Sequence, residues 1–369
     1  METERLTGAA PLPAPQGQPA VSVLMPVYNG AAYLRESIES ILSQSFADFE
    51  FIAVDDGSTD ASGTILAEYA AKDRRLRVAR NDRNLGLAPA LNRGLSMARG
   101  VWVARQDGDD ISLPDRLARQ TAFMREHPDV GVSGSQMIMF NERGRVVGEY
   151  RVGCTHGMIL WNIFFGWVFA HPTVIMRRDV LSAAGGYDPQ CFGEDVDLWV
   201  RLAERTRFAN LPEALVRYRR HGNAYSLRGR SRQQADALRA RQRFASRLLG
   251  REVPESVLLQ AGRAQAEDMS LTEAEIRGAV GLTVDLFLAL ISSGRVDEAD
   301  VPAIRRDMVE RVVLLSRGSR EVAGLVPRLQ ALQRAWRKAT PQPVKAVVHA
   351  LRRAGSSLGR GAQPRKGNG

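Results

Sequence analysis

Cysteine is almost missing from this chain. Cys154 and Cys191 are the only two among 369 residues, without CxxC spacing or a set of histidine partners, which argues against a disulfide framework or a zinc site and for a reducing compartment. Long apolar runs are missing too. The longest, Met158 to Ala170, is broken by Asn162 and Gly166 and falls short of the roughly 18 residues a spanning helix needs, so it reads as a buried or interfacial helix. The N-terminal METERLTGAAPLPAPQGQPA has mixed charge and no apolar core, so residues 1–19 read as a flexible leader and not as a signal peptide. In the strand-rich region neither GxGxxG after a strand nor GxxxxGK[ST] occurs, which disfavours a dinucleotide fingerprint and a P-loop.

What is present is an ordinary globular composition, 44% hydrophobic and 25% charged, with a net charge of +10. The length suits two domains, or one domain with an appendage. The positive balance points to anionic partners: nucleic acid, an anionic membrane surface or phosphate-bearing substrates. Aromatics do not interleave with the basic segments, so no nucleic acid is expected. The last 29 residues, 341–369, hold six Lys or Arg and no acid, and read as a disordered or peripheral basic tail.

The organising stretch is VWVARQDGDD, Val101 to Asp110. Val101 to Ala104 has the β-branched and aromatic character of a strand covered on both faces, and Asp107, Asp109 and Asp110 follow it directly. Carboxylates this close repel unless a cation or held protons relieve them, and a hard divalent ion such as Mg²⁺ or Mn²⁺ is the simplest relief. The bland alternative is a solvated acidic turn. An EF-hand is disfavoured because Thr121 falls near the place of its closing Glu.

Around this stretch, strands alternate with helices. Val21 to Met25 is expected to be a buried strand stopped by Pro26, with a helix from about Ala31 to Gln44; Phe51 to Val54 and Leu76 to Ala79 are further strands. The pattern predicts an α/β fold with a mostly parallel, Rossmann-like sheet flanked by helices. Pro114 opens a helix, and Val130 to Phe140 forms a hairpin with Arg145 to Tyr150. Next come the apolar patch, a strand from Thr173 to Met176 and a helix starting near Glu194. From Arg228 long Arg-, Ala- and Leu-rich helices take over. The expected division is 1–19 leader, 20–227 catalytic domain, 228–340 α-helical C-terminal appendage and 341–369 tail. In a parallel sheet the loops PVYNG (26–30), DDGSTD (55–60), NLG (84–86) and DGDD (107–110) converge on one edge, where a metal would let a carboxylate-rich site hold a diphosphate.

The series VSVLMPVYNG, FIAVDDGSTD, NLGLAPALNRGLSMARG, VARQDGDD, FAHPTVIMRR and GEDVDLWVRL, in this order and spacing, closely resembles the family 2 glycosyltransferases, non-processive inverting enzymes of the GT-A fold. The likeness spans roughly residues 20 to 225. It implies that Pro26, Val27, Tyr28 and Asn29, with Asp55 and Asp56, hold the base and ribose of a nucleotide sugar, Asp56 foremost, and that Asn84 and Gly86 line the nucleotide pocket. It implies that Asp109 contacts a divalent metal, Mn²⁺ or Mg²⁺, and Asp107 the sugar, ribose or metal, with Asp110 beside them. It gives Asp195, paired with Glu194, the role of catalytic base; helix capping is the alternative for that pair. His221 is placed at the diphosphate or metal, against an alternative of a surface histidine, and His171 is read as holding the turn before the strand Thr173 to Met176, against an alternative of approach to the acceptor.

The implied activity is transfer from a nucleotide-sugar donor, expected to be a UDP-sugar, to a glycan or lipid-linked acceptor in cell-surface polysaccharide or glycolipid biosynthesis. The implied location is cytoplasmic, with a peripheral place at the inner membrane face that the basic tail suits. The segment YRRHGNAYS lacks the QxxRW element of processive relatives. Two rivals are a non-catalytic nucleotide-sugar-binding scaffold and a sugar nucleotidyltransferase, although PVYNG lacks the Gly-rich phosphate loop the latter would carry.

Overall fold

The computed structural model describes residues 17–166, 168–222, 230–263 and 271–316. Every residue of β1 (Val21–Val27), β2 (Phe49–Asp55) and β4 (Trp102–Arg105) is buried. Strands covered on both faces lose polar alternation and read as continuous apolar runs, which is why the sequence marks them so plainly. β1 pairs in parallel with both β2 and β4, and β2 with β3 (Leu76–Arg80). The crossovers contain α1 (Leu34–Leu42), α2 (Ser62–Lys72) and α3 (Leu87–Met97). On α1 the buried Leu34, Ile38 and Ile41 recur at helical spacing and join the core beneath the sheet.

Pro26 does not stop β1, as the sequence had suggested. It lies within the strand opposite Val54, and the ladder continues past it, with the Asp56 amide donating to the Val27 carbonyl at 2.8 Å. Proline removes one donor from a strand but its fixed φ remains compatible with extended backbone, so a single one near a strand end is tolerated.

The second half of the sheet is mixed. β4 pairs antiparallel with β8 (Ile175–Arg177), and β6 (Val130–Asn141) runs antiparallel to β8 and to β7 (Val146–Tyr150). β6 is parallel to β9 (Arg207–Arg220), which pairs antiparallel with the two-residue β5 (Ile111–Ser112). The order is β3-β2-β1-β4-β8-β6-β9-β5, with β7 beside β6. The expected parallel character therefore holds for the β3-β2-β1-β4 half and for β6–β9, and is replaced by antiparallel pairing where β5, β7 and β8 join. α4 (Arg116–Glu126) and the β6–β7 hairpin lie where expected. The strand anticipated at Thr173 starts later, because His171–Thr173 form a 3-10 turn. β9 was not anticipated. The apolar patch is helical only at its start, in α5 (His156–Ile163). α6 (Arg178–Ala183) and α7 (Glu194–Leu202) complete this part.

The described residues form two compact units. One holds the chain up to Ile163 and from 168 to Arg241; the other holds Phe164–Gly166 and the chain from Gln242. The division falls within α8 (Arg230–Leu249), and α9 (Glu255–Gly262), α10 (Glu273–Ser292) and α11 (Val301–Ser316) give the second unit its helical character. α10 opens on a capping box in which Thr272 and Glu275 satisfy each other's backbone amides. The basic tail, and the leader up to residue 16, lie outside the described residues.

Helix α3 reaches the sheet through a missing side chain. A Cβ on Gly94 would lie 2.0 Å from Leu24 Cδ1 and 3.2 Å from Val54 Cγ2, both in the buried face of β1 and β2. Gly94→Ala gains roughly 1 kcal/mol of helix propensity, but overpacking a filled core costs about 1–3 kcal/mol. The expected net result is a lower melting temperature in thermal unfolding; an unchanged or higher one would contradict this packing.

Candidate active site

The carboxyl ends of β1, β2 and β4 carry the polar loops, and these loops bind one another. Asn29 adopts φ +49, a left-handed conformation that asparagine tolerates. Its Oδ1 accepts from the Thr59 amide at 2.8 Å, and its own amide donates to Ser58 Oγ at 3.0 Å, so the exit of β1 is fastened to the exit of β2. Tyr28 beside it is 44% exposed, and Pro26 and Val27 are buried in the strand. Asp55 accepts from the Ser58 amide at 2.9 Å and lies 3.4 Å from Arg80. Asp56 is buried: its Oδ1 accepts from Asn81 Nδ2 at 2.6 Å and the Leu85 amide at 3.0 Å, and its Oδ2 from the Gly86 amide at 2.8 Å. Asp56 thus shapes the 81–86 loop, in which Asn84 is exposed and Gly86 has φ +99 at the start of α3. Gly57 lets the two loops touch, because at φ +72 a Cβ there would fall 2.4 Å from the Arg83 carbonyl carbon.

Beyond β4 the three aspartates converge. Ligand atoms of Asp107, Asp109 and Asp110 lie within 4.8 Å of one another. Arg105 Nη2 pairs with Asp107 Oδ1 at 2.7 Å, and His221 Nε2 lies 2.8 Å from Asp109 Oδ2. The Arg219 amide donates to Asp110 Oδ1 at 2.8 Å, its Nε donates to the Asp109 carbonyl at 2.9 Å, and its guanidinium also pairs with Glu36. Both Arg219 and His221 come from the end of β9, the strand that sequence reasoning missed. Arg219 lies 4.5 Å over the Tyr33 ring, and His221 tilts against the same ring at 4.9 Å. His221 is therefore at the carboxylates and not a surface histidine.

Asp110 is fully buried, and its Oδ2 has no hydrogen-bond partner among the described residues. Burial first, then the charges of Asp109 and Asp107, push its carboxyl well above the ordinary carboxylate range. Asp109 is raised by burial and by Asp107, against the pull of His221. Clustered hard oxygens, one of them unpartnered, fit a divalent cation of the Mg²⁺ or Mn²⁺ type, which would relieve this repulsion.

Glu194 and Asp195 open α7 just after the N-cap Gly193, and Asp195 Oδ1 accepts from the first-turn amide of Val196 at 2.8 Å. Burial first and then the charge of Asp195 push Glu194 well above the ordinary range, and burial raises Asp195, which keeps partial exposure. The dipole of α7 favours the ionised forms, and burial outweighs it. The pair and the aspartate cluster belong to one electrostatic neighbourhood: the charge of Asp107 raises Glu194, and that of Arg105 lowers both members of the pair. His171 Nε2 meets the Tyr187 hydroxyl at 3.0 Å and its Nδ1 is 3.6 Å from Glu194. Burial and then Arg105 hold this imidazole well below its usual range, so it is neutral and its approach to Glu194 is no ion pair. His171 opens the 3-10 turn before β8, where the sequence placed a turn.

Sequence reasoning passed over Arg105, Arg219, Tyr187 and Arg241. Arg241 of α8 faces Asp195 and Tyr150, and burial holds it below its usual range. Asn92 is a packing residue: it accepts from the Tyr187 amide at 2.9 Å and donates to the Tyr187 carbonyl at 2.7 Å. The one available signal was charge inside an apolar run, the Arg in VARQDGDD.

Loops at the carboxyl ends of a Rossmann-like half sheet, with acidic residues gathered beside the switch into antiparallel strands, are the architecture of the GT-A fold. Comparison with known proteins agrees. The model of glycosyl transferase family 2 matches residues 22–183. EpsE of Bacillus subtilis is 40% identical over 215 residues, covering 57% of this chain and 76% of that protein. The O-antigen biosynthesis glycosyltransferase WbnJ of Escherichia coli is 33% identical over 209 residues, covering 55% and 81%. The chain belongs to glycosyl transferase family 2. In fold it resembles residues 1–349 of S. aureus TarS, solved in complex with UDP-GlcNAc, with a TM-score of 0.51 and 20% identity over 84% of this chain and 91% of that one. The nucleotidyltransferase rival falls away with this assignment.

The raised carboxyl of Asp110 sets a sign for stability in metal-free solution. Its proton is held more tightly in the folded state, so the stability it contributes is present below the ordinary value of about 3.9 and is lost as pH rises through the raised folded value. With EDTA present, Asp110→Asn is expected to unfold at a higher temperature than the parent at pH 8 and to lose that advantage at pH 4. Equal melting curves at both pH values would contradict the buried, unrelieved charge.

Proposed function

We propose that this glycosyltransferase is a metal-dependent inverting enzyme that moves a sugar from a nucleotide sugar, a UDP-sugar as in the TarS complex, to an acceptor hydroxyl. The observation that carries the reading is the convergence of Asp107, Asp109 and Asp110 within 4.8 Å of one another, in the same electrostatic neighbourhood as the buried Glu194 and its partner Asp195. Asp107, Asp109 and His221, with Asp110 behind them, would hold the cation. When bound, Mn²⁺ or Mg²⁺ supplies charge neutralisation for the departing diphosphate.

The residues of the chain divide the remaining work. Pro26 to Asn29, Asp55 and the loop that Asp56 shapes, including Asn84 and Gly86, form the wall for base and ribose, with Tyr28 offering an exposed ring and Asp55 a carboxylate acceptor. Asp195 takes the proton from the acceptor hydroxyl as that oxygen attacks the anomeric carbon from the face opposite the leaving group. Its partial exposure lets an acceptor reach it, and its raised proton affinity brings it nearer to the working pH than an ordinary aspartate.

Surface polysaccharide or glycolipid biosynthesis is the setting we propose, in line with the O-antigen relative and with the amylovoran biosynthesis glycosyltransferase AmsE of Erwinia amylovora, 34% identical over 201 residues. The acceptor would be a glycan or a lipid-linked precursor. Among the described residues no helix is long and apolar enough to cross a membrane. A cytoplasmic site at the inner membrane face, held by the basic residues of 341–369, fits the charge of the sequence.

A panel of nucleotide sugars assayed for release of free nucleoside diphosphate, with Mn²⁺, with Mg²⁺ and with EDTA, tests the donor and the metal together. Turnover with at least one donor that EDTA abolishes is expected; undiminished turnover in EDTA would remove the metal from the reading. Asp195→Asn is expected to cut kcat by about 10²–10⁴ while nucleoside diphosphate affinity stays within a few-fold. Full turnover in this variant would transfer the role of base to another group.

A further inference from the structure

Two buried arginines lie side by side in this site, and they are treated very differently. Arg116 donates from Nε to Gln120 at 3.0 Å, from Nη1 to Gln106 and Ser112 at 3.0 and 2.9 Å, and from Nη2 to the carbonyls of Arg105 and Val174 at 2.7 and 3.3 Å. Each of its nitrogens is occupied, as a purely structural buried guanidinium requires. Arg105, 2% exposed, has only Nη2 engaged, on Asp107 at 2.7 Å. Its Nε and Nη1 are buried without a hydrogen-bond partner among the described residues. Leaving charged donors unpaired in the interior is costly, and packing alone gives no reason to keep them.

The surroundings supply a reason. Besides Asp107, the charge that acts with Arg105 is that of Glu194, paired with Asp195 at the start of α7, and the backbone sets them in one neighbourhood: the Arg105 amide donates to the Val174 carbonyl at 2.9 Å, the Val174 amide to the His171 carbonyl at 3.3 Å, and His171 Nδ1 lies 3.6 Å from Glu194. We propose that Arg105 is a positioning residue of the transfer reaction: it fixes Asp107 with one nitrogen and presents its charge to Glu194–Asp195, keeping an ionised carboxylate ready for the acceptor hydroxyl. This deepens the assignment of Asp195 as base and rests on it. Arg105 links donor side and acceptor side through one side chain that neither substrate needs to touch.

All groups that face the pair enter the balance. Glu194 meets Asp195 on its own helix, Arg105 and Asp107 from β4 and the loop after it, and neutral His171 from the 3-10 turn. Asp195 meets Arg105 and also Arg241 of α8. Tyr187, whose hydroxyl burial pushes far up, contributes no charge at working pH. Removing Arg105 therefore leaves the pair with Arg241 as the remaining side-chain cation that faces it among the described residues, so the pair takes up a proton at higher pH.

The test is kcat against pH at saturating donor, Mn²⁺ and acceptor for the full chain and for Arg105→Gln, Arg105→Lys and Asp195→Asn, with melting curves to confirm folding. Arg105→Gln is expected to move the acidic limb up by about one pH unit, which is about a tenfold loss of kcat at any pH on that limb, with recovery on the alkaline side. Arg105→Lys, which keeps a charge but loses the planar fork, is expected to move it the same way by less. A folded Arg105→Gln that loses the same factor at every pH, or loses nothing, overturns the proposal. If Arg105→Gln does not fold, a wild-type limb in folded Arg105→Lys overturns it and a raised limb supports it. Asp195→Asn separates the two readings. If it remains active, the base assignment fails whatever Arg105 does; if it is inactive and the limb is unmoved in the Arg105 variants, the role of Arg105 alone fails.

Discussion

Mutual repulsion among carboxylates is the constraint on which this site is built. Asp107, Asp109 and Asp110 sit at the end of a strand buried on both faces, Asp110 fully buried and the other two partly exposed, and Glu194 and Asp195 lie within reach of the same field. The protein answers with donors placed at fixed points: the guanidinium of Arg105 on Asp107, the imidazole of His221 beside Asp109, Arg219 behind Asp109 and Asp110, and Arg241 facing Asp195. The compensation is incomplete: burial first, and for Asp109, Asp110 and Glu194 the neighbouring carboxylates as well, leave these three and Asp195 holding their protons more tightly than ordinary carboxylates. Incomplete compensation is what a binding site for a cation and an anionic donor needs. A fully neutralised cluster would have nothing to gain from a ligand.

The fold makes this arrangement rigid. β4 lies between the parallel half of the sheet and the antiparallel half, paired with β1 on one side and β8 on the other. Its carboxyl end is thus the place where the loops after β1 and β2 meet the segment leaving β9. Asp110 is tied to the backbone of Arg219, and Gln106 donates to the Asp110 carbonyl at 2.9 Å, so the acidic turn is fastened at both ends. Arg116, buried beneath and held near 9 by burial and by Arg105, adds a second positive layer below the aspartates. Asp110 and Asp107 raise Arg116 in return, so the attraction is reciprocal.

Much of this was legible in the amino acids, and the limits have physical causes. β1, β2 and β4 are buried on both faces and declare themselves as apolar runs, and the acidic residues that follow them are the expected polar ends of such strands. The ends of elements were less visible. Pro26 was read as a stop because proline lacks a donor, whereas the strand passes through it. β9 escaped notice because RFANLPEALVRYRR mixes a proline with charged and apolar residues, and its order comes from long pairing with β6, a tertiary cause with no local signature. Missing β9 meant missing Arg219, although His221 just after it could be placed by family likeness. Asp107, Asp109 and Asp110 were found because like charges in a row are conspicuous, whereas Arg105 is a single residue whose partner on α7 is about ninety positions away in the chain.

Asp56 shows how one carboxylate can serve a site without necessarily touching a ligand. Both of its oxygens are filled by the 81–86 loop, from Asn81, Leu85 and Gly86. Asp55, by contrast, has an Oδ2 that is buried and without a hydrogen-bond partner among the described residues, 3.4 Å from Arg80. Sequence weight had fallen on Asp56 as the nucleotide contact. Hydrogen-bond accounting shows what each carboxylate already does: Asp56 is satisfied by backbone and side-chain donors of one loop, and Asp55 Oδ2 is held by the charge of Arg80 alone. The same accounting separates Arg105 from Arg116, and Asp110 from the solvated turn its sequence could have been. Across the site, the atoms left without partners, and not the number of charged residues, mark where binding has something to satisfy.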